Sequence, residues 1–231
     1  NFYFEYPNGT VIPAWIESDV NGTLTIWLKL LYSIPPYSNT LIRMVYSSNN
    51  YLSINGPIGE APQLSNPYGK YDDGNLVFIA YWNFSGNSLP SGWYSTGKPV
   101  FYYKNGLTIV TKGGWSGIIS TSSYNPQTEI VDFYGYSASF STSYNMNFGY
   151  NNPSSTTPYT LYAICNGNSG TEYGLVNYNP NNNAAPISVE NNIGGSMPST
   201  PYIFSIWSSN IASVAQVNYG QVYLNYGDVI A

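Results

Sequence analysis

NLVFIAYWNFSGNSLPSGW, residues 75–93, is the stretch from which we predict the fold class. An apolar run over residues 76–80 leads into three aromatic residues, and two turns rich in Ser, Gly, Asn and Pro follow. The run is shorter than a typical globular helix and contains two β-branched residues. The pattern therefore predicts a buried strand that ends in a turn.

The N-terminal part also predicts short strands, at residues 1–6, 11–17, 23–30 and 40–46. In the third of these, Leu24, Ile26, Leu28 and Leu30 alternate with polar residues and Trp27, which indicates one apolar face. Asn21-Gly22 before it predicts a hairpin turn. Residues 47–74 carry little periodic signal and predict a long excursion over the surface.

Strands continue at a steady pace after residue 93, separated by Gly, Asn and Pro turns, which is typical of a sandwich. Long Asn/Ser/Pro-rich segments at 141–158 and 179–201 are predicted loops, and almost no helix is expected because helical periodicity is absent. The predicted strands are 99–103, 107–111, 117–122, 129–136, 159–165, 171–178, 187–190, 202–207, 214–219 and 222–226.

Two resemblances refine this picture. Phe4 with Asn8-Gly9-Thr10, the string PAWIE at 13–17, TIWLK at 25–29, Ile34-Pro35 and YSSN at 46–49 resemble a secreted prokaryotic and archaeal module known only as a domain of unknown function. The aromatic-Phe-x-Gly turn and the Trp of residues 75–93 resemble the opening of laminin-G/concanavalin-like sandwich domains.

These resemblances imply an all-β protein, an antiparallel β-sandwich or jelly roll of the concanavalin-like type with a smaller N-terminal β module. The implied division is an N-terminal module at 1–73 and a sandwich at 74–231. Relatives of the two modules carry a further strand before and after the ends of this sequence. The resemblance therefore implies open sheet edges that a neighbouring subunit fills by donating a strand.

The composition narrows the classes of partner and environment. Only 7% of residues are charged, the net charge is −5 and there is no histidine. The six basic residues cannot form the patch that nucleic acid requires, and no apolar run reaches the ~20 residues of a membrane span. A surface of uncharged polar groups changes little when carboxylates protonate, so we expect an acidic, hot, extracellular setting and an archaeal source.

Three Asn-x-Ser/Thr sequons, at Asn8, Asn21 and Asn83, lie in turn-like contexts and predict glycosylation sites. The sequence begins at Asn1 without Met, so we expect a processed, mature terminus. Together these features predict an extracellular or cell-surface glycoprotein.

Catalytic signatures are weak. Glycosidases of the concanavalin type place two acids on one strand face, whereas Glu129 and Asp132 are three residues apart and face opposite ways. An acid peptidase could pair a Glu with a Gln, but sequence alone cannot pair them. The candidates are Glu17, Glu60, Glu129, Glu172 and Glu190 with Gln63, Gln127, Gln216 and Gln221. We predict no enzyme and no cofactor.

Asp72, Asp73 and Asn75 are weak candidates for a Ca²⁺ site, although a tight Asp-Gly turn explains these residues equally well. Trp115 in a Gly-rich loop and Trp27 on the polar strand face are the candidates for contact with a glycan or a neighbouring subunit.

The function predicted from all of this is structural. We expect a subunit of a surface filament or layer, a homopolymer assembled by β-strand complementation. The alternative is a carbohydrate-binding adhesin with a lectin-like sandwich, and the third is an acid-stable secreted hydrolase.

Overall fold

A computed structural model describes residues 1–111, 116–125, 127–135, 145–152, 159–166, 172–178, 187–189, 202–208, 212–217 and 222–226. These residues form eighteen strands and one helical turn, and every strand pair but one among them is antiparallel. The predicted all-β class is therefore confirmed. Contacts divide the chain into two compact units, 1–121 and 122–231. The domain division predicted at 73/74 stays a prediction.

The first unit contains four small sheets, with strand orders β2-β1-β5, β4-β3-β6, β7-β10 and β8-β9. Each sheet of three strands has one interior strand, β1 or β3, so most strands of this unit are edge strands. The elements are β1 (Phe2–Glu5), β2 (Val11–Ile12), β3 (Ala14–Val20), β4 (Thr23–Leu28), β5 (Arg43–Tyr46), β6 (Ile58–Glu60), α1 (Gly74–Val77), β7 (Trp93–Thr96), β8 (Val100–Tyr103), β9 (Leu107–Val110) and β10 (Gly117–Ser120).

The hairpin between β3 and β4 forms as predicted. Asn21 (φ 54°) and Gly22 (φ 80°) both take the left-handed conformation that a tight hairpin turn of this type requires. The Asp19 carboxylate accepts a hydrogen bond from the Gly22 N–H at 3.2 Å and fixes the turn. Between Ile16 and Ser18 the register shifts, so Glu17 lies at a bulge in β3.

The core of the first unit lies where β3 meets β6 in parallel. Trp15 of β3 is opposite Gly59 of β6, and both strands contribute buried side chains, Ala14 and Ile58 among them. A Cβ on Gly59 would lie 2.8 Å from the Asp73 Cβ and 3.2 Å from the Trp15 Cδ1. Glycine is therefore required there because the next layer, which contains Asp73, packs directly on the strand.

The prediction of a buried strand at residues 76–80 was wrong. A helical turn, α1, occupies residues 74–77, with the Phe78 N–H bonded to the Gly74 carbonyl oxygen at 2.9 Å. Ile79 is 89% exposed, and the next strand, β7, starts only at Trp93. Phe78 and Tyr81, which follow this turn, both pack on Trp15, and this packing takes the place of pairing with a sheet.

The second unit, described by itself, contains two four-stranded antiparallel sheets with the orders β11-β16-β17-β18 and β12-β13-β14-β15. Strands β13 and β14 lie against β16 and β17, so the two sheets form a sandwich. The predicted strands of this region are present, but Asn145–Asn152 forms β12 where a loop was expected. The elements are β11 (Val131–Gly135), β12 (Asn145–Asn152), β13 (Tyr159–Asn166), β14 (Glu172–Tyr178), β15 (Ile187–Val189), β16 (Tyr202–Ser208), β17 (Ala212–Val217) and β18 (Val222–Tyr226).

Candidate functional site

The carboxylate of Asp72 is the centre of a polar cluster in the first unit. Its Oδ1 accepts hydrogen bonds from Trp15 Nε1 at 3.2 Å and from the Gly74 N–H at 3.3 Å. Its Oδ2 accepts one from Asn83 Nδ2 at 2.6 Å, and the Tyr81 hydroxyl donates to the same carboxylate. One half-buried side chain thus ties β3, α1 and residues 81–83 together.

Tyr81 is held in its protonated form by this arrangement. Burial raises the pKa of its hydroxyl far above the usual range, and the charge and hydrogen bond of Asp72 raise it further. A Cβ on Gly74 would lie 2.5 Å from the Tyr81 Cε2, so only glycine lets the ring approach this closely. Tyr81 is therefore a fixed hydrogen-bond donor and not a base.

Asp73, the neighbour of Asp72, faces the interior and is only 4% exposed. It accepts a hydrogen bond from the Asn55 N–H. Burial raises the pKa of its carboxyl, the Asn55 hydrogen bond lowers it, and the charge of Asp72 raises it, with burial the largest effect. The two adjacent aspartates consequently differ in their surroundings. The carboxylate of Asp72 accepts several hydrogen bonds, whereas the carboxyl group of Asp73 is shielded from water.

The buried glutamates of this unit are placed within its sheets. Glu17, at the bulge of β3, accepts a hydrogen bond from Trp27 Nε1 at 3.0 Å. Glu60 lies buried on β6, while the candidate partner Gln63 is exposed. Because Glu17 bonds to a tryptophan and Glu60 and Gln63 differ in exposure, the peptidase pairing gains no support from this part of the chain.

Of the predicted Ca²⁺ candidates, Asp72 and Asp73 have carboxylate oxygens that accept hydrogen bonds. A cation at Asp72 would displace the N–H groups of Trp15, Gly74 and Asn83, because both carboxylate oxygens accept from them. Asn75 is exposed beside this cluster. Within the described ranges, no group of three or more Asp, Glu, Cys or His side chains is placed to hold a metal.

An open cleft of about 510 Å³ lies beside the Asp72 cluster. Its walls are formed by Asp72, Asn75 and residues 81–91. Trp93 packs edge-on against Trp82, with ring centroids 5.1 Å apart, and against Phe84 at 5.5 Å, so two aromatic side chains of the wall are braced from behind.

The backbone of the wall is strained at Phe84, whose φ is 51°. A bulky residue in the left-handed region costs roughly 1–3 kcal/mol and persists only where the surroundings enforce it. The residues on either side of Phe84 are held by hydrogen bonds, since the Asn83 carbonyl accepts from Tyr68 Oη at 2.9 Å and the Asn83 side-chain oxygen accepts from the Ser85 N–H at 2.9 Å. Strain of this kind concentrates at binding sites, which makes the cleft the best candidate site in the first unit.

The three predicted glycosylation sites differ in their surroundings. Asn8 is exposed, and its side-chain oxygen accepts from the Thr10 N–H at 3.0 Å. Asn21 lies exposed at the tip of the β3–β4 hairpin. Asn83 is half-buried, and its nitrogen, the atom that would be glycosylated, donates to Asp72.

The predicted contact residues Trp27 and Trp115 have unequal outcomes. The Trp27 ring is half-buried, packs on Phe78 at 5.7 Å and donates to Glu17. Trp115 lies outside the described residues.

Glu129 of the glycosidase alternative precedes β11 and accepts from the Asn125 N–H at 2.6 Å, whereas Asp132 lies within β11 opposite Ser205.

Comparison with known proteins gives one partial similarity. No family model and no solved structure matches the chain. Over 95 residues, 39% of this chain, it is 36% identical to uncharacterized protein 562 of Sulfolobus islandicus rod-shaped virus 1. The matched part is 16% of that relative's length. Within the described residues, no helix is long and apolar enough to cross a membrane.

The Asp72 cluster could not be foreseen from the sequence, since it joins residues 57 positions apart. The local signal is the Asp72-Asp73-Gly74 turn, which by itself indicates only a weak metal candidate.

Proposed function

We propose that this chain is a non-catalytic subunit of an extracellular filament or layer, and that copies assemble by strand pairing at open sheet edges. The observation that carries the proposal is the edge strand β5. One side of β5 pairs with β1 through four residues, and no strand among the described residues pairs with its other side.

An edge strand invites pairing with another chain unless charges or bulges protect it. Met44 and Tyr46 of β5 are 39% and 74% exposed, and Arg43 is its one charged residue. The preceding segment adds further exposed apolar side chains, at Leu31, Tyr32, Ile34, Tyr37 and Leu41. Strand addition would satisfy the open backbone edge and cover this apolar surface at once.

The setting that fits is an acidic extracellular one. A chain with 7% charged residues gains little from ion pairs and loses little when carboxylates protonate. The partial similarity to a protein of a rod-shaped virus that is named for Sulfolobus is compatible with an archaeal or archaeal-virus surface protein. Glycans at the exposed sequons, Asn8 and Asn21, would add durability to such a surface.

The test is electron microscopy and light scattering of the purified chain, with a matched pair of variants. Met44→Lys/Tyr46→Lys places two charges on β5, whereas Ile54→Lys/Ile79→Lys places two charges at exposed apolar residues outside any strand and outside the segment that precedes β5. We expect filaments or sheets from the wild type and the control variant and monomers from the β5 variant. A wild type that stays monomeric, or a β5 variant that assembles equally well, contradicts the proposal.

A further inference from the structure

The cleft beside Asp72 has a ring-lined wall that is already in place. Tyr81, Trp82 and Phe84 all line it, and Trp93 fixes the orientation of two of these rings by edge-on packing. The Tyr81 ring is stacked on Phe78, with centroids 5.8 Å apart and planes 16° from parallel. Because the rings cannot turn freely, a ligand that stacks on them loses little free energy in ordering the site.

Apart from Gly86, Leu89 and Pro90, the remaining lining is polar and carries both donors and acceptors. Asn75, Ser85, Asn87, Ser88 and Ser91 lie exposed around the opening. Amide and hydroxyl groups each donate and accept hydrogen bonds, which suits a ligand whose own groups do both. A purely apolar ligand would leave these groups without partners.

The charge of the lining excludes ionic ligands. No Lys or Arg lines the cleft, and the carboxylate of Asp72 repels an anion. A cation would also bind poorly, because both Asp72 oxygens already accept N–H donors. What remains is an uncharged molecule with many hydroxyl groups and apolar C–H faces.

We propose that this cleft is a binding site for a neutral saccharide of one to three rings. Sugar C–H groups carry a partial positive charge and meet the negative face of an aromatic ring, while the hydroxyls meet Asn and Ser at the rim. The volume of about 510 Å³ lies within the range of roughly 300–1,000 Å³ that is usual for small-molecule sites. The strained backbone at Phe84 is then part of how the site holds its shape.

The proposal goes beyond assembly and is tested separately from it. The full chain with Met44→Lys/Tyr46→Lys is titrated with a panel of neutral di- and trisaccharides of glucose, mannose and galactose and with sialylated and sulfated saccharides. Binding is read by saturation-transfer NMR and calorimetry. We expect at least one neutral saccharide to bind and the anionic ones not to bind.

Gly86→Leu is the decisive variant. A Cβ on Gly86 meets only the Ser88 backbone, at 3.8 Å and 4.0 Å, so the leucine fits without backbone strain and fills the opening. Gly117→Leu is the control, because a Cβ there meets nothing within 4 Å and Gly117 lies outside the cleft lining. We expect Gly86→Leu to weaken binding roughly tenfold or more and Gly117→Leu to leave it unchanged.

The source of the sugar is distinguished by comparing chains made with and without glycosylation. If a glycan attached to the chain itself occupies the cleft, only the unglycosylated chain binds added saccharide. If the sugar comes from elsewhere, both chains bind it equally. Failure of every neutral saccharide to bind the unglycosylated chain, or binding that Gly86→Leu leaves unchanged, overturns the proposal.

Discussion

Replacing Asp72 by Asn tests whether the carboxylate cluster organises the first unit. The substitution preserves shape but exchanges one acceptor oxygen for a donor NH₂ group. With the amide nitrogen in place of Oδ2, two donors face each other at the 2.6 Å contact with Asn83. With the amide reversed, the nitrogen faces the N–H groups of Trp15 and Gly74 instead.

The expected loss of stability follows from counting these bonds. Even in its better orientation the substituted side chain would lose one hydrogen bond to a charged group, worth roughly 1.5–3 kcal/mol. The bonds that remain become neutral and about half as strong. Because Asp72 is only half-buried, the lower part of these ranges applies. The lost hydrogen bond and the weakened ones then contribute about equally, and we expect a total loss of about 3 kcal/mol in the free energy of unfolding.

Urea unfolding followed by tryptophan fluorescence measures this loss. Trp15, Trp27, Trp82 and Trp93 all lie in the first unit, so the signal reports largely on it. A loss of about 3 kcal/mol moves the unfolding midpoint down by roughly 1–3 M urea. Asp19→Asn is the control, because Asp19 is exposed and accepts a single turn hydrogen bond. If the two variants shift the midpoint by the same small amount, the cluster does not organise the unit.

Two further predictions follow from the same region. Burial raises the folded-state pKa of Asp73 above its ordinary value of 3.8, so its contribution to stability is full below that value and is lost as the pH rises through the folded pKa. Asp73→Asn should remove this part of the pH dependence, and identical changes in the urea midpoints of both proteins between about pH 3 and pH 6 would argue against it. For glycosylation, mass spectrometry of protein from a glycosylating host should find sugar on Asn8 and Asn21 and little on Asn83, whose nitrogen donates to Asp72. A fully occupied Asn83 in correctly folded protein would be incompatible with the described hydrogen bond.

Much of the strand pattern could be predicted from the sequence because turns in this chain are marked locally. Asn21-Gly22 needs two left-handed residues in succession, and Asn followed by Gly is the pair that supplies them at least cost. Strand β18 matches its predicted bounds, Val222–Tyr226, residue for residue. Such signals depend on a few neighbouring residues, and therefore a single sequence contains them.

The failures occur where distant residues decide the structure. The alternation in β4 predicted one apolar face that includes Leu24, yet Leu24 is 39% exposed, and β4 is an edge strand of a small sheet. Residues 76–80 have strand-like composition, but Phe78 and Tyr81 pack on Trp15, far away in sequence. The Asp-Asp-Gly sequence before these residues is compatible with the start of a helix. In the prediction, the apolar run of residues 76–80 counted for more than this signal. The cleft could not be predicted from the sequence either, since its wall depends on how Trp93 packs against Trp82.

The parallel pairing of β3 with β6 has a consequence for the order in which the protein can fold as it is synthesised. A hairpin such as β3–β4 needs only residues that are close in sequence. Trp15, in contrast, contacts Gly59 and Asp72, which are synthesised much later. Contacts of such long range are the slow ones in folding. We therefore expect the pairing of β3 with β6 and the hydrogen bond between Trp15 and Asp72 to form after the β3–β4 hairpin during synthesis.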